Sequence, residues 1–211
     1  MTLDFANRII DKLQQANPEP KIELNFSNAF ELLIATILAA QCTDARVNQV
    51  TKTFFKEYPS PAAIASENPE IIAEKIKSTG FYLNKTRALV ACSKRLESDF
   101  GGHVPNTMEA LLKLPGVGRK TANVVLGNAF AQPAIIVDTH ASRVSNRLGL
   151  TSSLKPEEIE KDLAQIIQQD RWTLFSQLVV LHGRYVCKAR LPRCKSCVLL
   201  DLCPFEDKNL S

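Results

Sequence analysis

Four of the six cysteines lie near the C-terminus in the spacing C-x6-C-x2-C-x5-C: Cys187, Cys194, Cys197 and Cys203. Thiolates packed this densely favour a metal site over disulfides, and a C-x2-C step lets one tight turn present two sulfurs. Zinc ribbons usually have two separated C-x2-C pairs, whereas a [4Fe–4S] cluster accepts unequal intervals and often ends in Cys-Pro, as the pair at 203–204 does. The spacing therefore favours an iron–sulfur cluster and leaves zinc as the alternative.

The segment around these cysteines carries positive charge only. Its five bases are Arg184, Lys188, Arg190, Arg193 and Lys195, and no acid lies between residues 184 and 200. Bases crowded on a rigid loop repel one another, and a polyanion relieves that repulsion while releasing counterions. The charge pattern predicts a nucleic-acid contact, with an ordinary solvated loop as the alternative.

A Pro-Gly-x-Gly turn separates two helical apolar patterns between residues 111 and 130. Gly116 and Gly118 lack Cβ, so the backbone there can adopt positive φ and let a ligand approach closely. The second helix is predicted from about Arg119 to Phe130, and the free N–H groups at its start suit an anion such as phosphate. An ordinary turn between helices is the competing interpretation.

Two side chains near this turn have the chemistry of catalysis. Lys120 falls at the positive end of the second helix, where an ammonium gains no stability and where the neutral amine, which forms Schiff bases, is favoured. Asp138 follows the short extended entry 134–137 and is predicted to cap the helix that Thr139 and His140 open. Its carboxylate is also suited to stabilising positive charge or assisting proton transfer.

The elements that position these residues are predicted to be helices almost everywhere. Apolar residues recur at helical spacing, for example Phe30, Leu33, Ile34, Ile37 and Leu38, and no alternating strand pattern appears. Helix starts are predicted from capping residues and from acids in the first turn. They lie at Ser27, Asp44, Thr107, the pair Asn68-Pro69 and the run 155–158, and Asn84 is read as a further cap. Roughly nine or ten helices result, which is an all-α fold.

The amino-acid composition narrows the class of protein further. The 211 residues are 45% hydrophobic and carry a formal net charge of +4, so the chain must bury a core and any nucleic-acid surface must be local. The apolar run 30–40 is shorter than the about 20 residues that cross a bilayer, and the N-terminus resembles no secretory signal. We expect no membrane partner and a cytoplasmic location. Cys42 and Cys92 are expected to be small buried core residues, and His140 a structural residue.

The turn, with the sequence LPGVGRK, and its two helices look like the helix-hairpin-helix motif of DNA repair glycosylases. Together with the cysteine spacing, the segment 40–44 (AQCTD) and the segment 181–185 (LHGRY), the chain resembles the endonuclease III family along nearly its whole length. The resemblance implies two helical lobes with a DNA cleft between them. A continuous barrel-like lobe, 22–132, would carry the hairpin, and a discontinuous lobe, 1–21 plus 133–211, would carry a [4Fe–4S] cluster on the four cysteines.

The resemblance also implies a reaction. Lys120 would attack C1′ of a damaged nucleotide and expel the base, and the imine would permit β-elimination that cuts the strand 3′ to the lesion, with Asp138 assisting. The substrates would be oxidised or ring-saturated pyrimidines and abasic sites in double-stranded DNA. The hairpin residues Gly116, Val117, Gly118 and Arg119 would contact DNA, in an enzyme expected to be a monomer associated with the bacterial nucleoid.

Filling the gap left by an extruded base is assigned, by resemblance, to Gln41 and Phe81. Leucine is expected where this chain has Phe81, and a place for Phe81 in the core is the competing interpretation. Three other functions remain open: an adenine mismatch DNA glycosylase, a non-catalytic helix-hairpin-helix DNA-binding module and a ferredoxin-type carrier. Lys120 and the end of the chain at Ser211 argue against the adenine mismatch glycosylase. A ferredoxin-type carrier would leave the hairpin unexplained.

Overall fold

The computed structural model describes residues 3–210 as helices joined by short turns, and no strand occurs in that range. The all-α fold class is therefore confirmed. The helices are α1 (Leu3–Ala16), α2 (Ala29–Leu38), α3 (Asp44–Glu57), α4 (Pro61–Ser66), α5 (Pro69–Ile76), α6 (Tyr82–Phe100), α7 (Met108–Leu111), α8 (Arg119–Ala129), α9 (Thr139–Arg147), α10 (Pro156–Ile166) and α11 (Trp172–Tyr185). Short 3-10 helices span Lys77–Thr79, Gln169–Arg171 and Cys194–Ser196. The outer bounds predicted for the lobes, residues 1 and 211, lie outside the described residues.

Within residues 3–210 there are eleven α-helices, more than the apolar pattern predicts. The short helices α4 and α7 have six and four residues. Segments of this length complete one turn or little more, so they show no apolar period. Their starts are marked instead by caps, because Ser60 and Thr107 each accept a backbone N–H three residues ahead.

Several predicted helix starts are confirmed, and two are wrong. Thr107 and Asn68 cap helices, and α10 begins at Pro156. The cap of α2 is Asn28, one residue after the predicted Ser27, because its side chain accepts the Glu31 N–H at 2.9 Å. Helix α3 begins at Asp44, as predicted, and its cap is Thr43. Asn84 lies inside α6, which already begins at Tyr82.

The described chain divides into two compact units, and one of them is Ile22–Ala131. Its central element is α2, in which every residue from Leu32 to Leu38 is buried. Helices α3, α6 and α8 pack on α2, and α4 and α5 pack on α6. Burial of this apolar helix drives the folding of the unit, at about 25 cal/mol per Å² of apolar surface. Within residues 3–210 no helix has the length and hydropathy needed to cross a membrane.

The other unit combines the described residues up to Lys21 with those from Gln132 onward. Helices α1 and α9 pack against α11, and their apolar faces form its core. Three of the clustered cysteines, Cys187, Cys197 and Cys203, pack against this core. The cysteine segment is thus part of the folded unit rather than a loose tail.

Candidate functional site

The turn before α8 uses its two glycines in different ways. Gly116 has φ +78°, as predicted, and a Cβ there would lie 2.8 Å from the Ala88 Cβ. Gly118 has φ −96°, so the prediction of positive φ is wrong at that position. A Cβ on Gly118 would meet no atom within 4 Å. Gly116 is therefore required by packing within the protein, whereas the space beside Gly118 is open to a ligand.

Helix α8 begins at Arg119 with Gly118 as its cap, so no side chain caps the helix. Arg119 and Lys120 are both exposed in this first turn. The side chain of Val117 is buried, and its N–H donates to the Leu114 carbonyl at 3.1 Å. Lys120 is therefore presented to solvent, while the side chain and the N–H of Val117 have contacts within the protein.

Gln41 and Phe81 are among three exposed residues other than glycine in this unit, with Ala131, that have positive φ, which is rare for such residues. Gln41 has φ +52° and follows the end of α2, and Phe81 has φ +48° and precedes α6. The Phe81 residue is 64% exposed. A core position for Phe81 is therefore wrong, and both side chains are held out from their turns.

Asp138 is confirmed as the cap of α9, because its Oδ1 accepts the Ala141 N–H at 2.7 Å. The preceding segment, residues 134–137, belongs to no helix and is bonded to α11 through hydroxyl groups. The Ile136 N–H donates to the Ser176 Oγ at 2.9 Å, and the Ala134 N–H donates to the Thr173 Oγ1 at 3.2 Å. These bonds and the cap fix the position of the Asp138 carboxylate.

Sequence reasoning missed two arginines that connect α9 to the cysteine segment. Arg143 donates to the carbonyls of Gly183 at 2.7 Å and Cys187 at 3.0 Å. Arg147 donates to the Lys188 carbonyl at 2.7 Å and to the Cys187 Sγ at 3.3 Å. Their spacing of four residues, on the helix that Asp138 caps, is a signal that could have identified them.

The four cysteines line one cavity together with apolar side chains such as Val144 and Leu199. Hydrogen-bond donors face two of the sulfurs, because Leu199 N–H donates to the Cys197 Sγ at 3.4 Å and Arg147 donates to Cys187. Burial raises the pKa of the Cys197 thiol. Four sulfurs around an apolar cavity, with N–H groups directed at them, fit an iron–sulfur cluster. Within residues 3–210 no three side chains of His, Cys, Asp or Glu are close enough together to hold a single metal ion, so the fit to a cluster rests on the shared cavity of the four cysteines.

The basic residues of this segment differ in exposure. Arg190, Arg193 and Lys195 are exposed, whereas Arg184 and Lys188 are half-buried. The backbone between the first two cysteines is held by Arg147, and also by the Arg193 N–H, which donates to the Val186 carbonyl at 3.0 Å. This loop therefore presents Arg190 and Arg193 in a fixed arrangement, and Lys195 follows in the 3-10 helix Cys194–Ser196.

The remaining cysteines and two of the histidines differ in burial and in the contacts that they make. Cys92 is fully buried, as predicted, whereas Cys42 is only half-buried, because it lies in the turn after α2 rather than within a helix. His140 contacts Arg143, with 3.3 Å between its Nδ1 and Nη2 of the arginine. His182 is buried 3.6 Å from the Cys197 Sγ, and burial lowers its pKa to about 4.

Comparisons with known proteins agree with this geometry. The profile of the HhH-GPD superfamily base excision DNA repair protein family matches residues 34–169. Endonuclease III of Synechocystis sp. is 46% identical over 200 residues, which cover 94% of this chain and 91% of that protein.

Two solved structures are also similar to the chain. A non-covalent endonuclease III–DNA complex matches with a TM-score of 0.93 and 43% identity, covering 97% of this chain and 96% of that one. A trapped endonuclease III–DNA covalent intermediate matches with the same TM-score, identity and coverage. These likenesses extend over both units.

Proposed function

Since the chain belongs to the endonuclease III family, within the HhH-GPD superfamily of base excision DNA repair proteins, we propose that it is a bifunctional DNA glycosylase and abasic-site lyase. It binds DNA at damaged sites and acts in base excision repair. Its substrates are oxidised or ring-saturated pyrimidines in double-stranded DNA, together with abasic sites. The enzyme works as a monomer in the bacterial cytoplasm, associated with the nucleoid.

Lys120 is the nucleophile in this proposal. The observation that carries the assignment is the position of Lys120, which is exposed in the first turn of α8, two residues after the open space at Gly118. A phosphate bound by the hairpin backbone brings deoxyribose to this lysine, and the positive end of the helix favours the neutral amine. The amine attacks C1′ as the bond to the base breaks, and the C1′–O4′ bond of the sugar then opens to give the imine. Loss of a proton from C2′ breaks the C3′–O bond and expels the 3′ phosphate by β-elimination.

Asp138 is the proposed carboxylate partner. Its Oδ1 is committed to the cap of α9, which fixes the direction of the whole group. An aspartate held in this way stabilises the positive charge that develops at C1′ as the base departs, and it accepts a proton from the attacking lysine. The proposal requires Lys120 and Asp138 to act on the same nucleotide.

Extrusion of the damaged base leaves a gap in the stack, which we assign to Gln41 and Phe81. Both side chains are exposed, and Phe81 supplies an apolar wedge on the tip of its turn. The hairpin binds the DNA backbone through Gly116, Gly118 and Arg119. Val117 lies between the two glycines and belongs to the same DNA-binding turn. The residues Arg184, Lys188, Arg190, Arg193 and Lys195 contact phosphates from the cysteine segment.

The cofactor in this proposal is a [4Fe–4S] cluster held by Cys187, Cys194, Cys197 and Cys203. When bound, the cluster cross-links the segment and supplies rigidity rather than electrons. The protein's own contribution is the bracing of the basic loop by Arg143 and Arg147. This support keeps the exposed cations in a fixed arrangement for phosphate binding.

Imine trapping tests the central assignment. Borohydride reduction of a reaction with abasic-site DNA should cross-link wild-type protein to the strand, and Lys120→Gln should abolish the cross-link while leaving the fold intact. Lys94→Gln, an exposed lysine on α6, is the matched control and should be trapped like wild type. Trapping that survives Lys120→Gln would refute the role of this lysine, and a wild-type protein that binds DNA without being trapped would favour a non-catalytic module.

A further inference from the structure

Lys85 is a buried lysine on α6 with no role in the reaction described above. The residue is only 5% exposed, and burial lowers the pKa of its ammonium. The ammonium donates to the Leu38 carbonyl at 2.8 Å and to the Thr79 carbonyl at 2.7 Å. A buried cation is costly unless it is satisfied by hydrogen bonds, and here two backbone carbonyls satisfy it.

The two carbonyls belong to the turns that carry Gln41 and Phe81. Leu38 is the last residue of α2, where helix carbonyls lack partners, and Gln41 follows three residues later. Thr79 ends the 3-10 helix two residues before Phe81. The N–H of Lys85 also donates to the Phe81 carbonyl at 3.1 Å. One residue is thus bonded to the backbone of both turns.

Both turns need such support. Left-handed backbone is unfavourable for residues with side chains, and it persists only where the surrounding structure holds it. Gln41 and Phe81 adopt it on exposed tips, with φ values of +52° and +48°. A shift in either turn would move the side chain away from the gap it is meant to fill.

We infer that Lys85 is a positioning residue for base extrusion, which holds the two turns in one geometry so that Gln41 and Phe81 enter the DNA stack together. This inference rests on the gap-filling role proposed above for those two residues. Lys85 touches neither DNA nor the reacting atoms, so it acts through the two turns. An apolar side chain of similar length would fill the same volume but leave both carbonyls unpaired.

A double-mutant cycle separates positioning from general stability. Excision of a ring-saturated pyrimidine from duplex DNA is measured in single turnover, for wild type and for Lys85→Met, each with and without the pair Gln41→Ala and Phe81→Ala. Lys85→Met should slow excision by about tenfold in the wild-type background and by less than about twofold once the two side chains are gone. The fluorescence of a 2-aminopurine placed beside the lesion should rise less with Lys85→Met than with wild type, because the DNA is unstacked to a smaller extent.

Two variants on α6 serve as controls. Lys94→Met removes an exposed lysine and should leave excision unchanged. Leu96→Ala removes a buried side chain near the other end of the helix, so it lowers stability without touching either turn, and its effect on excision should be equal in both backgrounds. Lys85→Gln, which keeps an amide donor, replaces Lys85→Met if the latter does not fold.

Each outcome decides the question. An effect of Lys85→Met that is equally large with and without Gln41 and Phe81 would overturn the inference but leave their gap-filling role intact. Wild-type excision by Gln41→Ala and Phe81→Ala would overturn that role, and the inference with it. Failure of both Lys85 variants to fold would assign this lysine to stability alone and would also overturn the inference.

Discussion

Replacing Gly116 with alanine should destabilise the protein, whereas replacing Gly118 should not. The new Cβ at Gly116 would lie 2.8 Å from the Ala88 Cβ, at a φ of +78°. Left-handed backbone costs an alanine about 1–2 kcal/mol, and overpacking of this kind costs about 1–3 kcal/mol. The free energy of unfolding of Gly116→Ala should therefore fall by about 2–5 kcal/mol. Gly118→Ala meets no atom and has φ −96°, so its loss should stay below about 1 kcal/mol.

Gly118→Ala should weaken DNA binding even though it hardly changes stability. A methyl group at this position would occupy the space through which a phosphate approaches α8. Gly118→Ala should weaken binding to abasic-site DNA by about tenfold, which corresponds to about 1.4 kcal/mol. Urea unfolding followed by circular dichroism gives the stabilities, and fluorescence anisotropy gives the affinities.

A third variant tests the steric part of the argument. Adding Ala88→Gly to Gly116→Ala removes the close contact but not the left-handed backbone, so it should restore about 1–2 kcal/mol beyond the effect of Ala88→Gly alone. Equal stability losses at Gly116 and Gly118, or no coupling with Ala88, would refute the reasoning.

Three further predictions concern packing, pH and the cysteine segment. Gly183→Ala places a Cβ 2.9 Å from the His140 Cβ and 3.0 Å from the Val144 Cγ2. Calorimetry should therefore show that the free energy of unfolding falls by about 1–3 kcal/mol. An unchanged melting temperature would contradict the close packing of α9 on α11. Burial raises the pKa of Cys92 to about 12, above the value of 9.0 expected when unfolded, so only the unfolded thiol ionises as pH rises from 9. The free energy of unfolding should then fall by about 1.4 kcal/mol per pH unit more in wild type than in Cys92→Ala. Parallel pH profiles of the two proteins would show that Cys92 does not cause this loss. Purified protein should contain iron and absorb broadly in the visible, and Cys194→Ser should lose both; a colourless zinc protein would refute the iron assignment.

Much of the local structure follows from interactions between residues close in the chain. The cap at Asp138, the start of α10 at Pro156 and the helical spacing of α2 are read from a few neighbouring residues. The cysteine spacing and the LPGVGRK turn are local in the same sense, and they led to the family that the comparisons confirm. Errors occurred where neighbouring signals compete, as at Ser27 and Asn28, because either side chain can cap and the bond to Glu31 decides between them.

Other features depend on residues far apart in the chain. A lysine on an amphipathic helix is normally solvated, and nothing near Lys85 in the chain reveals that the Leu38 carbonyl, 47 residues away, will accept a hydrogen bond from its ammonium. The exposure of Phe81 and the different roles of Gly116 and Gly118 also required the folded chain, since a large aromatic or a glycine fits several environments. Capping and periodicity arise within one or two helical turns, whereas burial and contact partners are fixed only when the helices pack.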